Sequence, residues 1–493
     1  MGLVFLVLTL MILACDLFTI RWFPVPWIDE VMFSDPAASL VLQGHWASTA
    51  WYGRGDLTYW NGNVPAYSFL QVPWLWLFGV NAPAVRSLNC VLIALTMACA
   101  WFSVKRLNLI PSPQIRLATL VALSLCYPVS YCVRCGRPDV VGMLIFAVSA
   151  LAWTCPQRFV AGMGLFACAV LIPFAGLQYA FYMPILLGAL LWAGGKPVWS
   201  RLLAIICGGI FGAMLLGIYL QFFAGWDGLL ANITDVHGRR PPGLWANLRF
   251  LLEYVVCHFY FSRPHFILLI TASILLGAAW KQLTRVSRRD LLLAVIILFL
   301  SGMVLGFFVH FSVAYHWLAV APAMILLASA TAKSWEKFSR KTRWGCVILA
   351  IGLAASGRMA FVALGGFLGN AAYTSQIEKT AATLVQPGEV VFGDWQLYYA
   401  LKPRAGRIYF PYIIPKLDPQ EKASISLAFL PAAGTDGAEW LANTFGGHWS
   451  PAADLPAPRS IPVSAKLLRG FSSGYFFGTQ LAVYRRDAAG PKP

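Results

Sequence analysis

Apolar residues run in long stretches along the chain up to about residue 366, and polar residues gather between them. A helix needs about 20 mostly apolar residues to cross the hydrocarbon core of a bilayer. Stretches that meet or approach this length lie at 3–20, 84–104, 115–133, 140–155, 159–176, 178–193, 202–223, 265–280, 291–309, 315–331 and 345–366. The pattern predicts about eleven membrane-spanning helices. The pair at 159–176 and 178–193 is the least clearly separated. No repeat of solenoid period and no low-complexity tract interrupts the series.

After about residue 370 the pattern changes. Residues 374–384 suit a helix, Gln386-Pro387-Gly388-Glu389 suits a turn, and Val390-Val391-Phe392 and Arg407-Ile408-Tyr409-Phe410 suit strands. Residues 474–485 are rich in aromatic and β-branched side chains, as a further strand would be. The alternation predicts a small soluble α/β domain over 370–493. Residues 1–369 then form the transmembrane domain, with long polar loops at 21–83 and 225–264.

Charge orients the map. Alternate short loops carry Lys105 and Arg106, then Arg158, then Lys196 and Arg201. The series continues with Lys281, Arg285, Arg288 and Arg289, and then Lys333, Lys337, Arg340, Lys341 and Arg343. Basic loops belong to the cytoplasm. The amino terminus is therefore expected inside, and an odd number of spans places the carboxyl-terminal domain and both long loops outside. Ile12-Leu13-Ala14-Cys15 has the look of a lipoprotein cleavage box, but residues 2–14 hold no Lys or Arg. An uncleaved first span is expected, since a secretory signal needs a positive start.

Composition agrees with this map. Of 493 residues 59% are hydrophobic and 12% charged, with mean hydropathy +0.67. These values exclude a disordered tail, a collagen-like fibre and a small disulfide scaffold, and argue against a wholly soluble enzyme. The formal charge of +17 would suggest nucleic acid on a soluble protein. Most of it sits in the short loops, so no nucleic-acid partner is expected. All eleven cysteines precede residue 347, mostly in apolar stretches, where a thiol is a small hydrophobe. Cys132 and Cys135 form a single close pair, and a zinc site needs a second one.

The candidate chemistry lies on the expected outer side. Asp29, Glu30 and Asp35 fall within Trp27-Ile28-Asp29-Glu30-Val31-Met32-Phe33-Ser34-Asp35, just after the first span. Acids at a membrane boundary are costly unless solvated or used. On a helix, Asp29 and Glu30 point about 100° apart. They cannot share one task, so one suits a cavity while the other braces it; helix-start electrostatics is the competing explanation. Arg134-Cys135-Gly136-Arg137-Pro138-Asp139 places two arginines where positive charge is unexpected. Asp139 suits a helix start, and the arginines suit an anionic headgroup. Arg239-Arg240-Pro241-Pro242 has the character of a mobile phosphate-closing flap, and Arg263-Pro264-His265 stands at the mouth of the next span. His310 and His316 lie six apart around Tyr315. That is not a helical metal pair, and no His-Glu-x-x-His string exists, so a catalytic zinc is not expected.

The order and sidedness of these strings resemble the GT-C glycosyltransferases, specifically the dolichyl-phosphate-mannose protein mannosyltransferase superfamily. Its bacterial relatives include the lipid A aminoarabinose transferase and the lipopolysaccharide galacturonosyl transferases. Leu77-Phe78-Gly79 before Ala84-Val85-Arg86, the segment from Tyr315 to Pro322, and the segment from Gly388 to Tyr399 add to the likeness, which covers residues 1 to about 400. The resemblance implies a polytopic α-helical membrane protein of GT-C fold in a bacterial inner membrane. It implies inverting transfer of a sugar from a polyprenyl-phosphate carrier to an acceptor hydroxyl of a lipid, glycan or protein, on the outer face. Asp29 then corresponds to the general base, and the arginine-bearing strings face the lipid phosphate.

The chain departs from the family in two places. The Lys-Pro-Pro string expected after the first outer helix is replaced by Trp60-Asn61-Gly62-Asn63-Val64-Pro65-Ala66-Tyr67. A Lys expected before the Tyr of the tenth span is absent, with His310 nearby. Phosphate binding is then expected from Arg137, Arg263 or His265, with Arg134 beside them. Glu30 is expected to orient Asp29 or hold sugar hydroxyls. Asp139, Tyr315 and His310 are expected to support the site or the acceptor. No cofactor is implied, and a divalent cation stays open. The chemistry agrees: a lipid phosphate leaves without a proton if cations stabilise it, and one positioned carboxylate activates the hydroxyl. A glycosidase needs two carboxyl groups across the bond. The rival classes are a polytopic lipid or solute transporter, which places its charges near the midplane of repeated halves, and an assembly subunit.

Overall fold

The computed structural model describes residues 2–21, 23–46, 48, 50, 65–194, 199–224, 226, 243–253, 263–308, 313–357, 362, 372–432, 436–455 and 480–487. The longer helices are, in chain order, α1 (Gly2–Thr19), α2 (Ile28–Gln43), α3 (Pro65–Phe78), α4 (Ala82–Arg106), α5 (Pro113–Leu125), α6 (Tyr127–Arg134), α7 (Asp139–Trp153), α8 (Arg158–Ala175), α9 (Tyr179–Gly194), α10 (Trp199–Tyr219), α11 (Leu244–Glu253), α12 (Pro264–Ala278), α13 (Arg285–Phe308), α14 (Trp317–Ala332) and α15 (Arg340–Ala355). After them come α16 (Ala372–Leu384), α17 (Tyr398–Leu401), α18 (Pro419–Ser424) and α19 (Gly437–Phe445).

Every predicted apolar stretch overlaps a helix, but the helices are unequal. Among the described residues five stretches are long and apolar enough to cross a membrane: Gly2–Thr19, Ala82–Arg106, Arg158–Ala175, Trp199–Phe222 and Val313–Ala332. Helices α5 and α6 make a sixth if counted as one span bent by 50°. Shorter apolar helices lie at Asp139–Trp153, Tyr179–Trp192 and Pro264–Ala278. Of the expected eleven or so spans, the described residues meet the length in five, or in six with the bent pair. Local chemistry explains the breaks. Pro128 sits in the first turn of α6, where its ring cannot continue α5. Gly176, at φ 153°, ends α8 and separates it from α9. Helix α4 is long because its ends are well made: the Asn81 side chain accepts from the Ala84 amide at 2.8 Å, and Lys105 and Arg106 close the last turn.

The bundle packs closely where side chains are small. Gly208 and Gly212 of α10 face α8, and a Cβ on either would stand 2.5 Å from the Phe166 or Val170 carbonyl oxygen. Such small residues spaced by four let two helix backbones touch in an apolar medium.

A five-stranded mixed sheet follows the helices. Its strands are β1 (Val390–Phe392), β2 (Arg407–Tyr409), β3 (Leu427–Pro431), β4 (Trp449–Asp454) and β5 (Leu481–Arg486), in the spatial order β2-β1-β3-β5-β4. Strand β1 is parallel to β2 and β3, whereas β5 is antiparallel to β3 and β4. One face of the sheet packs on its own helices, with Phe392, Tyr409, Leu441 and Phe445 in that core. The other face shares a core with α2, α3, α4 and α10: Val391, Tyr398 and Phe429 lie with Val31, Leu75, Val85 and Leu216. The sheet unit is thus seated on α2.

Arg134 was expected at the donor phosphate. It is instead fully buried against α1. Its Nη1 lies 3.0 Å from Asp16 Oδ1 and 2.8 Å from the Thr19 hydroxyl, and Nη2 donates to the Phe23 carbonyl at 2.7 Å. A buried charge that loses its partner costs far more than the pair is worth. Arg134→Met is expected to lower stability by about 3–5 kcal/mol. Removing both charges, as Asp16→Leu with Arg134→Met, is expected to recover most of that loss. Thermal unfolding in detergent measures both, and equal losses in the two proteins would show that the pair does not hold α1.

Candidate active site

Helix α2 opens without a side-chain cap at Trp27 and carries Asp29 and Glu30 in its first turn. Their divergence sends them to different partners. Glu30 turns inward to Arg86 near the start of α4, with Nε 2.9 Å from Oε1 and Nη2 2.6 Å from Oε2. The remaining Arg86 amino group donates to the Ile20 carbonyl at 2.9 Å. Both side chains are fully buried. Glu30, expected to orient Asp29 or hold sugar hydroxyls, has its carboxylate enclosed and bidentately paired in this structure. It braces α2.

Asp29 faces the other way and meets Arg137. The guanidinium lies between two acids, with Nη1 on Asp29 Oδ2 and Nε 2.9 Å from Asp139 Oδ2. Asp29 is 27% exposed, against 4% for Arg137 and 1% for Asp139. The rings of Phe33 and Tyr315 flank the guanidinium, 5.4 and 5.9 Å from its carbon. Burial works against the Arg137 charge, but Asp139 and Asp29 outweigh it and hold the group charged. The Tyr179 hydroxyl donates to Asp139 Oδ1 at 2.9 Å. Gly142 makes room for it, since a Cβ there would stand 2.6 Å from the Tyr179 ring.

The short turn from Cys135 to Pro138 carries Arg137 to this place. Gly136 adopts φ 58°, and a Cβ on it would come within 2.5 Å of Glu30 Cγ. The turn is held from α4 and α3. Asn89 Nδ2 donates to the Cys132 and Arg137 carbonyls, both at 3.0 Å, and the Tyr67 hydroxyl lies 3.0 Å from Asn89 Oδ1 and from the Gly136 carbonyl. Trp27 Nε1 donates to the Cys135 carbonyl at 3.3 Å.

The remaining candidates divide. Arg263 caps α12 and is partly exposed. Two residues on, the His265 ring stacks on Tyr127, which lies 6.2 Å from Tyr131, whose ring meets Trp27 at 5.6 Å. His265 does not reach an open surface: it is fully buried, with Nε2 3.0 Å from His316 Nδ1 and its ring stacked on Tyr127 at 6.0 Å. It is a packed member of the bundle rather than an open phosphate ligand. His310, Arg239, Arg240 and Trp60 to Val64 lie outside the described residues. Among the described residues no three His, Cys, Asp or Glu side chains gather in a metal-binding group. Sequence reasoning missed Asn89, Tyr67 and Tyr179 as site residues, and took Arg86 only as part of a string; single polar residues within apolar spans were the available signal.

Gly136→Ala tests whether the turn sets the pair. The substitution forces a side chain into left-handed backbone, at a cost of about 1–2 kcal/mol, and into Glu30. It is expected to loosen Arg137 from Asp29 and to raise carbodiimide labelling of Asp29 severalfold, read by peptide mass spectrometry. Unchanged labelling would mean that the turn does not fix the pair.

No family model matches the chain, and no curated protein matches its sequence. Solved structures do match. The structure of ArnT from Cupriavidus metallidurans bound to undecaprenyl phosphate aligns with a TM-score of 0.59 at 13% identity, covering 100% of this chain and 99% of that one. Its apo form aligns with a TM-score of 0.58 over the same shares and at the same identity. The arabinofuranosyltransferase AftD from Mycobacteria aligns at 0.53 and 13% identity, covering 98% of this chain and 40% of AftD. The described residues therefore share the fold of these structures.

Proposed function

We propose that this chain is an inverting glycosyltransferase. It moves a sugar from a polyprenyl-phosphate carrier to a hydroxyl of a lipid, glycan or protein acceptor at the outer face of a bacterial inner membrane. The observation that carries the proposal is Asp29: a part-exposed carboxylate, braced by a buried arginine, on a helix at the end of an apolar bundle. The fold supports it, since the ArnT structure that aligns with this chain at a TM-score of 0.59 is bound to undecaprenyl phosphate.

The topology belongs to the proposal. Eleven spans, counting the short and bent helices, with basic loops inside, put α2, the loops 21–83 and 225–264 and the unit 370–493 outside. Residues 1–369 form the catalytic domain, with the amino terminus in the cytoplasm.

The chemistry is a single displacement. Asp29 accepts the proton of the acceptor hydroxyl as its oxygen forms a bond to the anomeric carbon. The bond from that carbon to the phosphate oxygen breaks, and the polyprenyl phosphate departs with the electron pair. Attack opposite the leaving group inverts the centre. Arg137 pairs with Asp29 and aims it. Asp139 and Tyr179 fix Arg137 from behind. The phosphate is assigned to Arg263, a partly exposed cation at the start of α12.

Asp29→Asn removes the base and keeps the shape. Sugar transfer from donor lipids extracted from the host membrane is expected to fall by about 10²–10⁴, with the melting temperature unchanged. Full activity in that variant would remove the base assignment. Arg263→Gln in the same assay is expected to weaken donor use by about tenfold to a hundredfold, the worth of one charge-assisted contact.

A further inference from the structure

The sheet unit grips α2 through a buried polar cluster that the mechanism above does not use. Lys402 Nζ lies 2.9 Å from Asp35 Oδ1 and donates to the Ser39 hydroxyl at 2.8 Å. The Tyr398 hydroxyl donates to Asp35 Oδ1 at 2.6 Å, and the Ser48 hydroxyl to Asp35 Oδ2 at 2.6 Å. The Tyr399 hydroxyl stands 3.0 Å from Ser34 Oγ and 3.5 Å from Glu30 Oε1. Lys402 is 6% exposed and Asp35 1%. Burial alone would raise the Asp35 carboxyl; the Lys402 ammonium and the hydrogen bonds from Ser48, Tyr398 and Lys402 outweigh it and hold it below its ordinary value.

A buried lysine is a costly way to glue two surfaces that already share an apolar core. What a polar cluster supplies is direction. Around the axis of α2, Glu30 and Ser34 stand about 100° and 140° from Asp29, and Asp35 and Ser39 about 240° and 280°. Asp29 and Phe33 occupy the gap between, facing Arg137. The sheet unit thus touches both flanks of the helix, Tyr399 on one and Lys402 with Tyr398 on the other. Any roll of α2 that lifts Asp29 from Arg137 breaks contacts on both sides.

We infer that Tyr399 and Lys402 are positioning residues: the sheet unit sets the roll of α2 and thereby the aim of Asp29. The inference rests on the assignment of Asp29 as base only for its consequence in catalysis. The claim about roll stands on the geometry.

The test uses the full chain in nanodiscs and two variants chosen to fold. Tyr399→Phe loses one hydroxyl, and Asp35→Asn combined with Lys402→Met removes both charges together. Carbodiimide and glycine ethyl ester label exposed carboxylates, and mass spectrometry reads the peptide bearing Asp29. Both variants are expected to label Asp29 at least threefold more than the parent, with melting temperatures close to it. Transfer from extracted donor lipids is expected to show kcat reduced about tenfold and donor KM changed less than twofold. Parental labelling in both variants overturns the inference. Raised labelling with parental kcat overturns the link to catalysis. Asp29→Asn, assayed alongside, separates the cases: if it keeps full transfer, the base assignment fails while the labelling still judges the roll.

Discussion

One guanidinium held between two carboxylates organises this end of the bundle. Arg137 cannot be buried beside apolar helices as a lone charge, because removing it from water costs several kcal/mol. Asp29 and Asp139 compensate it, and each comes from a different element. The same solution recurs nearby. Arg86 takes Glu30, and Arg134 takes Asp16. Three arginines from α4 and the α6–α7 region thus reach back to three acids in the first thirty residues. Such pairs add little to net stability, yet they exclude wrong registers, since any slip leaves charges buried without partners. Adjacent acids held by two separate arginines fix the roll of α2 more firmly than apolar packing could.

Part of this logic was legible in the sequence. Neighbouring acids on a helix diverge, so one of Asp29 and Glu30 suited a cavity while the other could brace it. Arginines beside Gly136 broke the charge pattern and marked a site. The pairing was not legible, because Arg137 and Asp29 are joined across 108 residues and no local rule connects them. Arg134 and His265 show the same limit: their residue types suit a phosphate, but burial, a tertiary property, gives them other partners. Asn89 sits inside an apolar stretch, where hydropathy takes it as background, and Tyr67 lies in the loop 21–83 with no charged neighbour to mark it. In the sheet unit, Val390–Phe392 and Arg407–Tyr409 were visible as short β-branched and aromatic segments. Strand β4 was not, since Trp-Ser-Pro-Ala-Ala-Asp has weak strand propensity and is placed by its partner. Its Pro451 is tolerated at a sheet edge beside an irregular register.

The arrangement also bears on where a donor phosphate is held in the proposed reaction. Arg137 with Asp29 and Asp139 carries a net charge of −1, so it repels rather than gathers an anion. A cation outside the triad must hold the phosphate, and Arg263 is a described group that meets this need, with no carboxylate contact among the described residues. As Asp29 takes the acceptor proton, the triad becomes neutral and its negative charge passes to the leaving phosphate. A cation beside the phosphate is therefore worth more in the transition state than before it, which is the condition for catalysis rather than mere binding. Asp139 completes the argument. Were Asp29 the lone partner of Arg137, protonating it would strand a buried guanidinium and oppose the reaction. With Asp139 at 2.9 Å and held by Tyr179, the arginine keeps a counter-ion throughout the cycle, and the base can lose its charge at little cost.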